Sequence, residues 1–388
     1  MTSPVAADLA IDRELSSISE SFRFLVDLTP INVDDARKEF LASPDDEPHF
    51  RYRDVEDFPE VIGARLNAVD IASVADPALA RIFEAKRREL ALQLKMLSLR
   101  GSAGFLDLSL ELYGSVTPAL ERQAEDVLRE VPKGPGARGR CLEAPAIAKK
   151  AAAEIERYRA GYPNLSVAIE VREDTSGVMV ANGALIIATT ACVASSRLAG
   201  LLAHEVGTHI LTYVNGSMQH LKLMASGLAG YEETQEGLAL IAEAAVGGLT
   251  PGRLRQIAAR VIAVRRLLQG SSFAQTHREL TEAYGYSKGG AFMIVMRVWR
   301  SGGLTKDAIY LRGLQDLVDY LAAGNDLDSL WQGKVSLADL PLAKELTEQG
   351  VLAPPTLLPY FLADDKARER IGRLVGDAGL HRLIGADT

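Results

Sequence analysis

The sequence predicts an α+β fold that is predominantly helical and carries one small sheet. Three observations lead there. Long stretches place apolar residues at three- and four-residue spacing, as on the buried face of a helix. Convincing strand patterns are confined to residues 165–188, where branched side chains alternate and Asn182-Gly183 supplies a hairpin turn. Glycine and proline concentrate at residues 131–140, where the periodicity disappears.

Taken in order, residues 11–28 and 74–99 read as helices, with Ala, Arg, Glu and Leu between the apolar positions. Residues 43–54 form an acidic, proline-containing connection. A helix is expected over 145–160, with Pro145 suited to its first turn. Strands follow at 165–171, 178–180 and 185–188, separated by a turn at Thr175-Ser176-Gly177 and by Asn182-Gly183. From Ser195 onward the chain reads as helix. Ser195 or Ser196 caps the first of these and Thr234 the second, which ends at Gly247-Gly248. Thr250-Pro251 starts a third, and more are expected at 274–284, 288–300, 305–322 and 337–349. The break at 131–140 divides an N-terminal helical region, 1–130, from a catalytic domain, 141–388.

With 388 residues and a hydrophobic share of 47%, the chain can bury a substantial core. A net charge of -8 argues against nucleic acid or an anionic membrane as the main partner. The densest basic cluster, residues 133–140, is interrupted by Gly and Pro. No run nears the roughly 20 apolar residues of a membrane span, and residues 1–13 lack the apolar stretch of a secretory signal. Cys141 and Cys192 make no disulfide framework. These features lead us to expect a cytoplasmic protein with neither a nucleic-acid nor a membrane partner.

The chemistry is concentrated in His204-Glu205-Val206-Gly207-Thr208-His209 and Gln235-Glu236-Gly237-Leu238-Ala239. Two imidazoles, one carboxylate ligand and one free carboxylate are what a hydrolase with a single zinc ion needs. Histidines four residues apart lie about 40° apart round a helix and meet one ion. These two are five apart, about 140° round a regular helix. The reading therefore requires a π-bulge or a break at 206–208, with Gly207 the place where distortion costs least. Glu236 is then the third ligand and leaves one position open. Glu205 stands beside the ion without binding it. It takes the proton of a metal-activated water and passes it to the leaving amine. Glu232, Glu233 or Glu243 could orient a ligand histidine, and spacing does not choose among them.

Blander readings exist for each residue. As a bare pattern the histidine motif arises by chance in about one chain in a hundred of this length. Glu236 could be a first-turn acid serving the helix dipole. His220 is an outside rival as ligand. His277, Tyr284 and Tyr286 read as core or surface residues, and His49 and His381 as bystanders.

On these segments the chain resembles the QEGLA-motif family, also named for modulating flavohaemoglobin expression, whose eukaryotic relatives include the microtubule-associated tyrosine carboxypeptidase. The resemblance extends to Thr29-Pro30-Ile31-Asn32-Val33 with Phe40 and Tyr52, to residues 177–183, and to Gly303-Leu304-Thr305-Lys306-Asp307. Gly333-Lys334-Val335 with Pro341 and Pro354-Pro355 carry it over nearly the whole chain. It implies one zinc ion held by His204, His209 and Glu236, with Glu205 as catalytic acid and base, in a gluzincin-like metallopeptidase core. It further implies removal of a C-terminal residue, aromatic in those relatives, from a peptide or protein. The relatives' substrate, α-tubulin, is not carried over.

A carboxypeptidase must grip a terminal carboxylate through fixed charge or backbone donors. Arg297, Arg300 and Lys306, set around Gly302-Gly303, offer both, and Tyr310 can donate to a developing oxyanion. Arginines at a helix end equally suit the dipole. Asn182 is a candidate substrate contact, because a hairpin beside a metal site can bind extended peptide by strand addition. Two rivals stand against this reading. One is a regulatory or scaffold protein with a structural or vestigial zinc; the other is a hydrolase of amides or small peptides. A structural site usually has four protein ligands and no spare acid, which speaks for the enzyme.

Overall fold

The computed structural model describes residues 6–55, 58–133, 139–175 and 177–376. The expected boundary at 131–140 therefore falls partly, at 134–138, outside the described residues, as do the turn residue Ser176 and His381. Helices dominate the described chain, and the strands are short.

Among the described residues five strands make two small sheets: β1 (Cys141–Glu143), β2 (Ile169–Arg172), β3 (Val178–Ala181), β4 (Ala184–Ala188) and β5 (Cys192–Ala194). The three-stranded sheet has the order β2-β4-β3, with β2 parallel and β3 antiparallel to β4. Asn182 and Gly183 both take positive φ, 48° and 74°, as a two-residue hairpin turn of this hand demands. β4 lies in the middle, so its Leu185-Ile186-Ile187-Ala188 run is buried, whereas β3 keeps one edge unpaired.

The β1–β5 ladder was not expected, because three residues carry too little alternation to register as a strand. It also corrects the reading of the cysteines. Cys141 and Cys192 sit on facing strands with Cα atoms 5.4 Å apart and are joined in a disulfide.

The helical stretch at 11–28 resolves into Ala6–Glu20 and Phe24–Asp27. The one at 74–99 runs over Pro77–Ser98 and is capped by Asp76, whose carboxylate accepts from the Ala78 and Leu79 amides. Two expected caps are corrected. Ser195–Arg197 forms a 3-10 turn rather than a cap, with the helix starting at Leu198. Thr234 lies inside the helix Tyr231–Ala245, which begins after left-handed Gly230, and its hydroxyl accepts from the Leu337 amide at 2.8 Å.

One hydrophobic cluster takes in Leu15, Phe83, Ile187, Leu240 and Leu374, so the N-terminal helices pack into the same core as the residues after 141. Asp12 reinforces that union. Its buried carboxylate accepts from the Lys222 and Leu223 amides at 2.5 and 3.1 Å.

Candidate metal centre

The histidine helix changes pitch at the motif. Leu198–His204 is α-helical, Glu205–Ile210 is a π-helix, and Leu211–Ser217 returns to α. The wider turn brings residues five apart onto one face, and the two imidazole centroids lie 5.0 Å apart. Side chains support the altered ladder. Thr208 donates to the Ala203 carbonyl at 3.1 Å and Thr212 to the Thr208 carbonyl at 2.9 Å. Trp331 Nε1 donates to the Gly207 carbonyl at 2.8 Å. A Cβ at Gly207 would stand 3.2 Å from the Phe361 ring, so the absence of a side chain there serves packing.

Glu236 arrives from Tyr231–Ala245, which crosses the helix Ile309–Ala322 at very close range. Gly237 makes that approach possible: a Cβ there would lie 2.3 Å from the Gly313 carbonyl oxygen. The crossing carries Glu236 to the histidines. One ligand atom each from His204, His209 and Glu236 lies within 4.8 Å of the others. Glu236 Oε2 is 3.5 Å from His204 Nε2 and 3.9 Å from His209 Nε2.

The donor set fits a divalent ion. Glu236 Oε2 is buried and has no hydrogen-bond partner, a costly state for a carboxylate oxygen that a cation between it and the imidazoles would relieve. Its other oxygen accepts from Tyr310 at 3.0 Å and from Lys306 at 3.3 Å, which fixes the carboxylate plane.

Behind His204 stands Glu243, 3.0 Å from Nδ1. Arg197 and Arg253 hold Glu243 at 2.9 and 3.2 Å, and despite its burial their charges, with that of His204, keep its carboxyl low, at about 2. The sequence left Glu232, Glu233 and Glu243 open as partners. Glu243 lies seven residues after Glu236, two turns along the same helix face, and that register was the signal available. Of the others, Glu233 pairs with Arg312, and Glu232 lies 3.8 Å from Lys306.

Burial alone would lower His204, but Glu236, Glu243 and Glu205 raise it to about 10. His209 is pushed down to about 3 by burial and by the neighbouring His204 charge. Glu205 lies 4.0 Å from His204 Nε2, and burial lifts its carboxyl to about 7 against the pull of His204. The site thus combines converging ligands with a separate carboxyl able to take or give a proton near neutrality.

A cavity of about 550 Å³ opens over these groups and is lined by β3, Asn182, Arg297, Lys306 and Tyr310 among others. The cations expected to grip a carboxylate have protein partners. Arg297 binds Asp307 through two bonds of 2.5 and 2.7 Å, and Lys306 faces Glu236. Asn182 sits at the hairpin turn with Nδ2 3.4 Å from the Glu20 carbonyl. His220 is exposed beyond the metal helix and does not join the three-residue group. His277 Nε2 donates to the Lys288 carbonyl at 2.9 Å and packs against Phe40, as a core histidine does. Arg253 and Trp331 went unnoticed in the sequence, and Lys334 stood out there only within the family resemblance, with no role at the site.

A family model described as microtubule-associated tyrosine carboxypeptidase matches residues 38–375. No curated protein matches the chain.

Proposed function

The chain belongs to the microtubule-associated tyrosine carboxypeptidase family, and on that premise we propose that it is a zinc-dependent carboxypeptidase releasing the last residue, tyrosine or a similar aromatic one, from a peptide or protein. The observation that carries the zinc reading is the buried, partnerless Oε2 of Glu236 set against two imidazoles. His204, His209 and Glu236 would hold the ion in a gluzincin-like arrangement, with one position left for substrate. When bound, the ion supplies Lewis-acid polarisation of the scissile carbonyl and acidifies water.

The remaining steps fall to the protein. Glu205 takes the proton from the attacking water and delivers it to the amine nitrogen as the peptide bond breaks, leaving a shortened peptide and a free amino acid. Tyr310 rests with its hydroxyl donating to Glu236 Oε1 at 3.0 Å and would turn that one proton to the oxygen on which charge develops. β3 lines the cavity and is paired on one side only, so an extended substrate backbone can add along it, with Asn182 at its end. Arg297 and Lys306 line the same cavity, each beside its carboxylate partner. A scaffold with a structural ion has no use for a buried carboxyl such as Glu205, 7% exposed and 4.0 Å from His204 Nε2.

The test is Glu205→Gln. Zinc content should stay at one ion per chain while release of C-terminal tyrosine from a peptide falls by about 10²- to 10⁴-fold, read by mass spectrometry. Equal rates in variant and wild type would remove Glu205 from the reaction.

A further inference from the structure

Lys334 is one of the cations lining the cavity that the reaction does not use. Its ammonium lies over the rings of Tyr213 and Tyr231, at 5.3 and 5.5 Å from their centroids. Among the described residues no carboxylate stands within ion-pairing distance of it, in contrast to Arg297 and Lys306. Glu20 and Glu232 act on it only from further off, Lys86 repels it, and burial lowers it to about 8. Three N–H donors held against aromatic faces and turned to a cleft form half of an ion pair.

The position of Lys334 is fixed by its backbone. Its N–H donates to the Met224 carbonyl at 2.8 Å, and its carbonyl accepts from the Leu228 amide at 3.0 Å. Gly333 is pressed on Met224, where a Cβ would meet the carbonyl oxygen at 2.8 Å. Between those two anchoring residues lies Ser226, which lines the same cavity, and its Oγ is buried without a hydrogen-bond partner. A second donor thus waits on the segment that holds Lys334. The charge of Lys334 is felt at His209, which places the pair on the His209 side of the cleft.

We infer that Lys334 Nζ and Ser226 Oγ form a carboxylate-binding subsite in the cleft wall beside His209, taking a carboxylate of the peptide substrate. The inference builds on the peptide-substrate reading above. That carboxylate is either the chain terminus or an acidic side chain upstream of the scissile bond. The chemistry is shared, and the experiment separates the two.

The probes are acetylated peptides ending in tyrosine, as free acid or amide, each with Asp or Asn at the two preceding positions. Binding to zinc-loaded Glu205→Gln protein is measured by calorimetry, with and without Lys334→Gln. The background should show an acid-over-amide or an Asp-over-Asn preference of about 10- to 100-fold, and Lys334→Gln should abolish one of them. Loss of the first assigns the subsite to the terminus, loss of the second to a side chain. Each preference is a ratio within one protein, so partial unfolding cancels, and Lys334→Arg should restore much of what Lys334→Gln removes. If both preferences survive Lys334→Gln, or the background shows neither, the subsite does not exist. Turnover by the wild-type protein is scored separately: absence of trimmed peptide sinks the carboxypeptidase reading while the binding ratios still judge Lys334.

Discussion

His204 is held at Nδ1 by Glu243, 3.0 Å away, while Nε2 faces the unbonded Oε2 of Glu236 at 3.5 Å, so the Glu243 contact fixes which nitrogen is free for an ion. Glu243→Gln keeps the shape but removes the charge that Arg197 and Arg253 steady. Zinc affinity, measured by competition with a chelator, should fall about 10- to 100-fold. Unchanged affinity would make Glu243 a structural partner of the arginines alone. At this scale the sequence was readable where residues sit in one motif. His204, Glu205 and His209 declare themselves by adjacency, and Glu236 by its segment. Arg297 and Lys306 read as free cations because Asp307 and Glu236, their partners, come from other turns or helices that spacing does not connect.

Among elements, the π-helix over Glu205–Ile210 is the one whose irregularity follows from spacing: five residues cannot share a face of a regular helix. The hairpin at Asn182-Gly183 was equally legible, since its positive φ values call for those residue types. The β1–β5 ladder was not, being three residues long, and neither was the interior position of Thr234, because a threonine reads alike as cap or as buried donor and acceptor. The crossing at Gly237 and Gly313 is a feature of two helices and shows in neither alone. Gly237→Ala tests it. A Cβ 2.3 Å from the Gly313 oxygen must force the helices apart, at a cost of at least about 2 kcal/mol, and should lower Tm by about 2 °C or more. Because Glu236 precedes it, zinc affinity should fall as well. A melting curve superimposable on wild type would show that the crossing yields without strain.

Across the whole molecule, helical character was plain from periodicity, but the embrace between N-terminal helices and the later chain was not, since Asp12 meets Lys222 and Leu223 across two hundred residues of sequence. Burial raises the Asp12 carboxyl from 3.8 to about 6, against the pull of those two amides and of Lys222 and Arg13. A folded-state value above the unfolded one means that the native state binds the proton more tightly. The resulting stability is fully present below about pH 4 and is lost as pH rises through about 6. Asp12→Asn should therefore gain on wild type in unfolding free energy between pH 4 and pH 7, read from urea curves. A constant difference across that range would deny Asp12 its raised value.

Together these parts bring one ligand atom each of His204, His209 and Glu236 within 4.8 Å of the others with Glu205 beside them, and we propose that they hold a single ion. Anomalous diffraction at the zinc edge, on crystals grown without chelator, tests this most directly. One peak should lie about 2.0–2.2 Å from a nitrogen of each histidine and an oxygen of Glu236, with Glu205 outside bonding distance. A peak coordinated by Glu205 in place of Glu236, or zinc-loaded crystals with no peak between the two imidazoles, would contradict the account.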